Sequence, residues 1–225
     1  MANQLRNMVI TAHPDDETLF FGGTILSRPN EEWTVVCLTD GNADGRGDER
    51  MAELDEACGL LGVQSVIKAS FEDTYDQNLD QRKLKKFFTS LPEVDAVYTH
   101  GPLGEYGHPH HIQTSFAVHK FFDKTPIWHP AINCFATKRE VLTEAQYNRK
   151  LEILAKVYNQ ELMRFSRFIH FPSEELFTQS SLDEVEKLAQ YLLSQEVDEP
   201  KGLVNYKAFK DHLSLFRSSI FERAF

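Results

Sequence analysis

The chain has 225 residues, 41% of them hydrophobic and 26% charged, with a formal net charge of -10 at pH 7. This length and balance suit a soluble globular domain able to bury a full core, with at most a modest appendage. The acidic excess excludes the basic footprint that nucleic acid requires, no apolar run approaches the roughly 20 residues of a membrane span, and the first residues lack the apolar core of a signal peptide.

Apolar runs at residues 8–12, 33–39, 65–68 and 94–99 read as strands, alternating with helix-like segments at 18–26, 48–61, 80–90 and 111–122. Such alternation predicts βαβ units, with a parallel sheet covered by helices on both faces. The first helix contains Gly22 and Gly23, which predicts close packing. In the second, Met51, Leu54, Ala57, Cys58 and Leu61 recur at helical spacing, and Gly62 supplies a stop. A further strand is expected at 131–136. Beyond it, 150–167 and 182–195 have amphipathic helical periodicity. Residues 196–202 read as a linker, and 206–225 carry Phe209, Leu213, Phe216 and Ile220 on one face. Cys37, Cys58 and Cys134 are odd in number and scattered among apolar residues, which predicts reduced thiols and a cytoplasmic location.

The chemistry concentrates at two strand ends. Thr11-Ala12-His13-Pro14-Asp15-Asp16-Glu17 places an imidazole and adjacent carboxylates on the turn between the first strand and first helix. In open α/β folds ligands bind at such turns. A second polar cluster, His100-Gly101-Pro102-Leu103-Gly104-Glu105-Tyr106-Gly107-His108-Pro109-His110-His111, follows the fourth strand. Catalytic zinc commonly has three protein ligands and one open position. His13 and Asp16 can supply two ligands from one tight turn, with His111 or His108 as the third. Bound zinc brings the pKa of its water to about 7. Asp15 is then free to take a proton, and His108 can meet the oxyanion formed when water attacks a carbonyl.

Plainer readings stand beside these. Asp15 or Asp16 can be a helix N-cap, and His108, His110 and His111 a solvated loop or an adventitious metal site. Arg50 can meet a substrate hydroxyl or pair with Glu53 along the second helix. Asp73 and Asp76, after the third strand, can reach hydroxyls of a bound substrate or remain solvated. Residues 40–45 resemble a turn more than a calcium loop, because the terminal bidentate acid is lacking at the required spacing.

The sequence resembles the zinc-dependent de-N-acetylases that include the N-acetylglucosaminyl-phosphatidylinositol deacetylases and the bacterial glucosaminyl-thiol deacetylases. The family's first motif stands in full as Ala12-His13-Pro14-Asp15-Asp16-Glu17, and its second as Tyr106-Gly107-His108-Pro109-His110-His111. Leu38-Thr39-Asp40-Gly41 and the Arg50, Glu53, Ala57 and Leu61-Gly62-Val63 positions match the intervening pattern. Lys150, Leu154, Tyr158-Asn159-Gln160 and Glu175-Leu176-Phe177 resemble weaker C-terminal signatures. The resemblance implies a Rossmann-like α/β fold and removal of an N-acetyl group from an N-acetylglucosamine-type amino sugar. It implies His13, Asp16 and His111 as zinc ligands, with Fe2+ as another suitable divalent metal. It further implies Asp15 as general base and then general acid, His108 as oxyanion stabiliser, and Tyr106 as a mobile group over the substrate. Where the family usually has Asp between the two histidines of the second motif, this chain has His110, which is expected to tune His108 without ligating metal.

A deacetylase domain is expected over residues 1–177 and a helical extension over 178–225, packed on it or joining a second subunit. The resemblance implies a small amino sugar or glycoconjugate as partner. Two rivals are an amidase acting on another small amide, such as a thiol conjugate, and a carbohydrate-binding protein without turnover.

Overall fold

The computed structural model describes residues 4–74, 77–165, 171–194 and 198–217. In chain order the elements are β1 (Arg6–Thr11), α1 (Asp16–Ser27), β2 (Glu32–Thr39), α2 (Gly47–Leu61), β3 (Ser65–Phe71), α3 (Gln81–Phe88), β4 (Ala96–Thr99), the single turn α4 (Gly104–Gly107) and α5 (Pro109–Phe121). They continue as β5 (Ile127–Pro130), β6 (Lys138–Val141), α6 (Glu144–Lys156), α7 (Asn159–Phe165), β7 (Glu174–Thr178), α8 (Leu182–Leu193) and a 3-10 helix, Lys207–Phe216. The chain forms two compact units, one comprising Met1–Asp73 with Lys138–Leu176, the other Thr74–Thr137 with Phe177–Phe225.

The first unit is built on parallel strands in the order β3-β2-β1, with Ile10 opposite Val36 and Val36 opposite Ile67. Val9, Ile10, Val35, Val36, Cys37 and Leu38 are fully buried. Unbroken apolar runs of this kind suit a parallel strand buried on both faces. Helix α1 packs tightly because Gly23 has no side chain: a Cβ there would lie 2.6 Å from Leu142 Cδ1 and 2.7 Å from Glu175 Oε1. The Glu175 carboxylate instead accepts the Gly23 and Thr24 amides and the Thr24 hydroxyl, while Lys150 Nζ lies 2.7 Å from it. Every charge of this buried pair is thus hydrogen-bonded, the condition under which burial is tolerated. Gly62 stops α2 in the left-handed conformation, φ 84°, where a side chain would be strained.

In the second unit β4 runs parallel to β5, and β5 runs antiparallel to β7 with His129 opposite Thr178. The α/β class is as expected, but the sheet is mixed and not wholly parallel. Leu103 and Ile112 share a core with Leu188, Leu192, Leu203 and Leu213. The extension expected from residue 178 therefore supplies interior to this unit, through α8 against α5 and through Leu213 of the 3-10 helix. Phe209 and Phe216 lie half-buried against the same cluster; Ile220 lies outside the described residues.

Two expectations fail locally, and one strand is additional. Residues 131–136 form no strand; the strands flank them as β5 and β6. The helix expected at 150–167 begins earlier, behind a Thr143–Gln146 capping box, and breaks between α6 and α7. Strand β7 was not anticipated, its five residues being too few to show a period. Among the described residues, no helix is long and apolar enough to cross a membrane.

Candidate metal centre

The first cluster lies in the first unit, on the turn where β1 hands over to α1. Asp16 folds back on this turn: its Oδ2 accepts the His13 amide hydrogen at 2.8 Å and lies 3.4 Å from His13 Nδ1. His13 Nε2 is 3.5 Å from Asp73 Oδ1. His13, Asp15, Asp16 and Asp73 are all buried. Burial alone would lower the His13 pKa, but the Asp73 and Asp16 carboxylates outweigh it and lift it to about 10. An imidazole ringed by carboxylates marks a place prepared for positive charge.

Asp15 occupies the N-cap position of α1, yet its side chain makes no capping hydrogen bond. Its backbone has φ 105°, unusual for a residue with a Cβ. Arg50 braces the turn instead. Its Nη2 donates to the Pro14 carbonyl at 2.8 Å and to Asp15 Oδ2 at 3.3 Å, and its Nη1 donates to the Gly41 carbonyl at 3.2 Å. Glu53 meets Arg46, so the helical Arg50–Glu53 pair is not the arrangement seen. Burial, then the Asp16 carboxylate, pushes the Asp15 pKa well above the usual carboxylate range, with Arg50 opposing. Glu17 accepts the Asp15 amide hydrogen at 3.1 Å and the Tyr158 hydroxyl at 2.9 Å. Asp73, expected to reach substrate or remain solvated, is buried between His13 and Arg50. Asp76 lies outside the described residues. Residues 40–45 form a turn, in which Asp40 Oδ1 accepts the Asn42 amide.

The second cluster lies in the second unit, between β4 and α5. His108 is the N-cap of α5, with Pro109 beginning the helix. Its Nδ1 accepts the His110 amide hydrogen at 3.2 Å. His110 is buried and its Nε2 donates to the Gln77 carbonyl at 3.1 Å. His111 is fully buried, with Nδ1 donating to Glu105 Oε2 at 2.7 Å and its ring stacked on His108, 4.6 Å between centroids. Tyr106 remains partly exposed and turns an edge to both rings. The histidines are therefore not a solvated loop.

The PIG-L family, described as GlcNAc-PI de-N-acetylase, matches residues 8–122, more than half of the chain. The chain belongs to this family. Among relatives, a probable N-acetylglucosaminyl-phosphatidylinositol de-N-acetylase of Schizosaccharomyces pombe is 32% identical over 130 residues, 53% of this chain and 52% of that one. The 1D-myo-inositol 2-acetamido-2-deoxy-alpha-D-glucopyranoside deacetylase of Corynebacterium diphtheriae is 28% identical over 175 residues, 61% of this chain and 58% of that one. The chain thus spans about half the length of such relatives. The fold also matches the N,N'-diacetylchitobiose deacetylase of Pyrococcus horikoshii, TM-score 0.58 at 20% identity, over 87% of this chain and 89% of that one.

The PIG-L match takes in both clusters, but two partners escaped sequence reasoning. Glu105 stood in the quoted motif with no role, and it binds both His100 and His111. Burial works against its charge, yet the His100 and His111 rings bring its pKa down to about 2. Glu17 closed the first PIG-L motif without a role, and its partner Tyr158 lies 141 residues away. A glutamate flanked by Gly104 and Gly107 amid four histidines was the one available signal for the former.

Proposed function

We propose that this chain hydrolyses the amide of an N-acetylglucosamine-type amino sugar, releasing acetate, with a divalent metal held by His13, Asp16 and His111. The observation that carries the reading is Asp15. Its carboxylate is buried beside the His13–Asp16 pair and makes no cap bond to α1, so a plain helix-capping role does not account for it.

The donor chemistry suits the metal. Around His13 stand three carboxylates, Asp15, Asp16 and Asp73, with one guanidinium, Arg50, among them. Mixed imidazole and carboxylate donors favour zinc, and ferrous iron accepts the same set. When bound, such a metal supplies Lewis acidity and an acidified water.

The remaining work falls to side chains. Asp15 takes the proton of the attacking water on its carboxylate and returns it to the departing amine nitrogen. With its Nδ1 occupied as an acceptor, neutral His108 keeps its ring hydrogen on Nε2, from which it donates to the tetrahedral oxyanion. Arg50 holds Asp15 in place and Asp73 sits against His13, while Tyr106 meets the sugar. The names of the relatives support an N-acetylated amino sugar as substrate. The free thiols Cys37, Cys58 and Cys134 suit a reducing, cytoplasmic setting.

Acetate release from N-acetylglucosamine, N,N'-diacetylchitobiose and a glucosaminyl-inositol, measured beside an acylated thiol conjugate, tests this reading. Turnover confined to the amino sugars is expected. Turnover of the thiol conjugate alone overturns the substrate assignment, and no turnover in the metal-loaded protein overturns the activity.

A further inference from the structure

The carboxylate of Glu105 gathers two histidines on a single oxygen. Oε2 lies 2.9 Å from His100 Nδ1 and 2.7 Å from His111 Nδ1, while Oε1 accepts the Gly101 amide hydrogen at 2.8 Å. The His100 and His111 rings stack at 3.8 Å between centroids, 16° from parallel. Glu105 reaches this position with φ 57°, a left-handed conformation that a residue with a Cβ seldom adopts. All these groups belong to the second unit, and His100, Glu105 and His111 are buried.

An ionised carboxylate only accepts hydrogen bonds. Each imidazole must therefore present a hydrogen at Nδ1, and a neutral His111 then carries its lone pair on Nε2. A fixed tautomer and ring plane are what a carboxylate behind a ligating histidine provides. Backbone strain also collects where surrounding structure holds a functional group in place.

We propose that Glu105 is a positioning residue. It sets His111 as the Nδ1–H tautomer with Nε2 directed to metal, and His100 buttresses the ring by stacking and by sharing the same carboxylate oxygen. The role rests on His111 being a ligand, as proposed above, but its first observable does not. Nothing here requires Glu105 to touch substrate or metal; it acts through His111.

Long-range 15N–1H correlation spectra of the metal-free protein read the tautomer directly. His111 is expected as Nδ1–H, and Nε2–H would overturn the proposal whether or not the protein is a deacetylase. Zinc affinity, from competition with a chromophoric chelator, supplies the second measurement. Glu105→Gln keeps the shape but weakens the acceptor, and should lower affinity by about 10–100-fold. His111→Ala should abolish tight binding. Folded Glu105→Gln protein that binds zinc as tightly as wild type overturns the positioning role. Wild-type affinity in His111→Ala instead removes the ligand assignment, leaving the tautomer measurement to judge Glu105.

Discussion

The Arg50 guanidinium grips both the side chain and the backbone of the Asp15 turn, reaching Asp15 Oδ2 at 3.3 Å and the Pro14 carbonyl at 2.8 Å. One planar group thereby offsets the Asp15 charge and braces a residue held at φ 105°. A lysine keeps the charge but loses the fork. Removing one partner of a buried pair typically costs about 3–5 kcal/mol, so Arg50→Met should shift urea unfolding by that order, and Arg50→Lys by less. An unchanged midpoint for Arg50→Met would show that the brace contributes nothing.

Asp15 and Asp16 are adjacent, but their substitutions should separate cleanly. General acid–base groups contribute typically 10²–10⁴-fold. Asp15→Asn is therefore expected to lower kcat by about that factor while metal per chain stays at the wild-type value. Asp16→Ala and His13→Ala should purify metal-poor, with activity partly restored by added zinc. Metal content and acetate release measured on the same preparations decide the matter. Metal loss in Asp15→Asn, or near-full turnover with metal bound, would reverse the two roles.

Tyr158→Phe removes the hydroxyl that donates to Glu17 Oε1, an oxygen that also receives the Thr18 hydroxyl. Because Glu17 keeps that second donor, the expected loss is about 0.5–1.5 kcal/mol, the net worth of one hydrogen bond. Equilibrium denaturation provides the test. A loss well above this range would mean that the hydroxyl supports more than Glu17.

His119 and His129 make the second unit sensitive to acid. Both are buried, and burial lowers their pKa values to about 3 and about 4. The unfolded chain takes up protons at these sites near the ordinary histidine value of about 6.5, before the folded chain does. Their effect is therefore absent above that pH, and stability falls as pH drops from there toward 4. His119 Nε2 has no hydrogen-bond partner among the described residues, so His119→Leu should be tolerated at pH 7 and flatten the curve. Thermal midpoints from pH 7 to pH 4.5 would show this; parallel curves for variant and wild type would contradict it.

The C-terminal helices should behave as core. Leu188 is fully buried among Leu103, Ile112 and Leu213, and Leu→Ala at such sites costs about 2–5 kcal/mol. Leu188→Ala is expected to lower the denaturation midpoint accordingly, and truncation after Gln179 to yield aggregation-prone protein. A truncated chain with native near-ultraviolet circular dichroism would remove α8 from the core.

Sequence alone determined most of what depends on near neighbours. Unbroken apolar runs marked β1 and β2, helical spacing ending at Gly62 marked α2, and a His-Pro-Asp-Asp-Glu turn between strand and helix marked half of the candidate site. These signals are local, because hydrophobic period, capping and turn chemistry act over a few residues. Tertiary structure decided the rest. Strands of four or five residues, such as β5 and β7, are too short to show a period, and their pairing partners lie far along the chain. The partners of Asp15 and Glu17 are likewise set by folding, which brings Arg50 and Tyr158 to them. Buried polar groups must find hydrogen bonds, but nothing in the linear order says which distant residue will supply them.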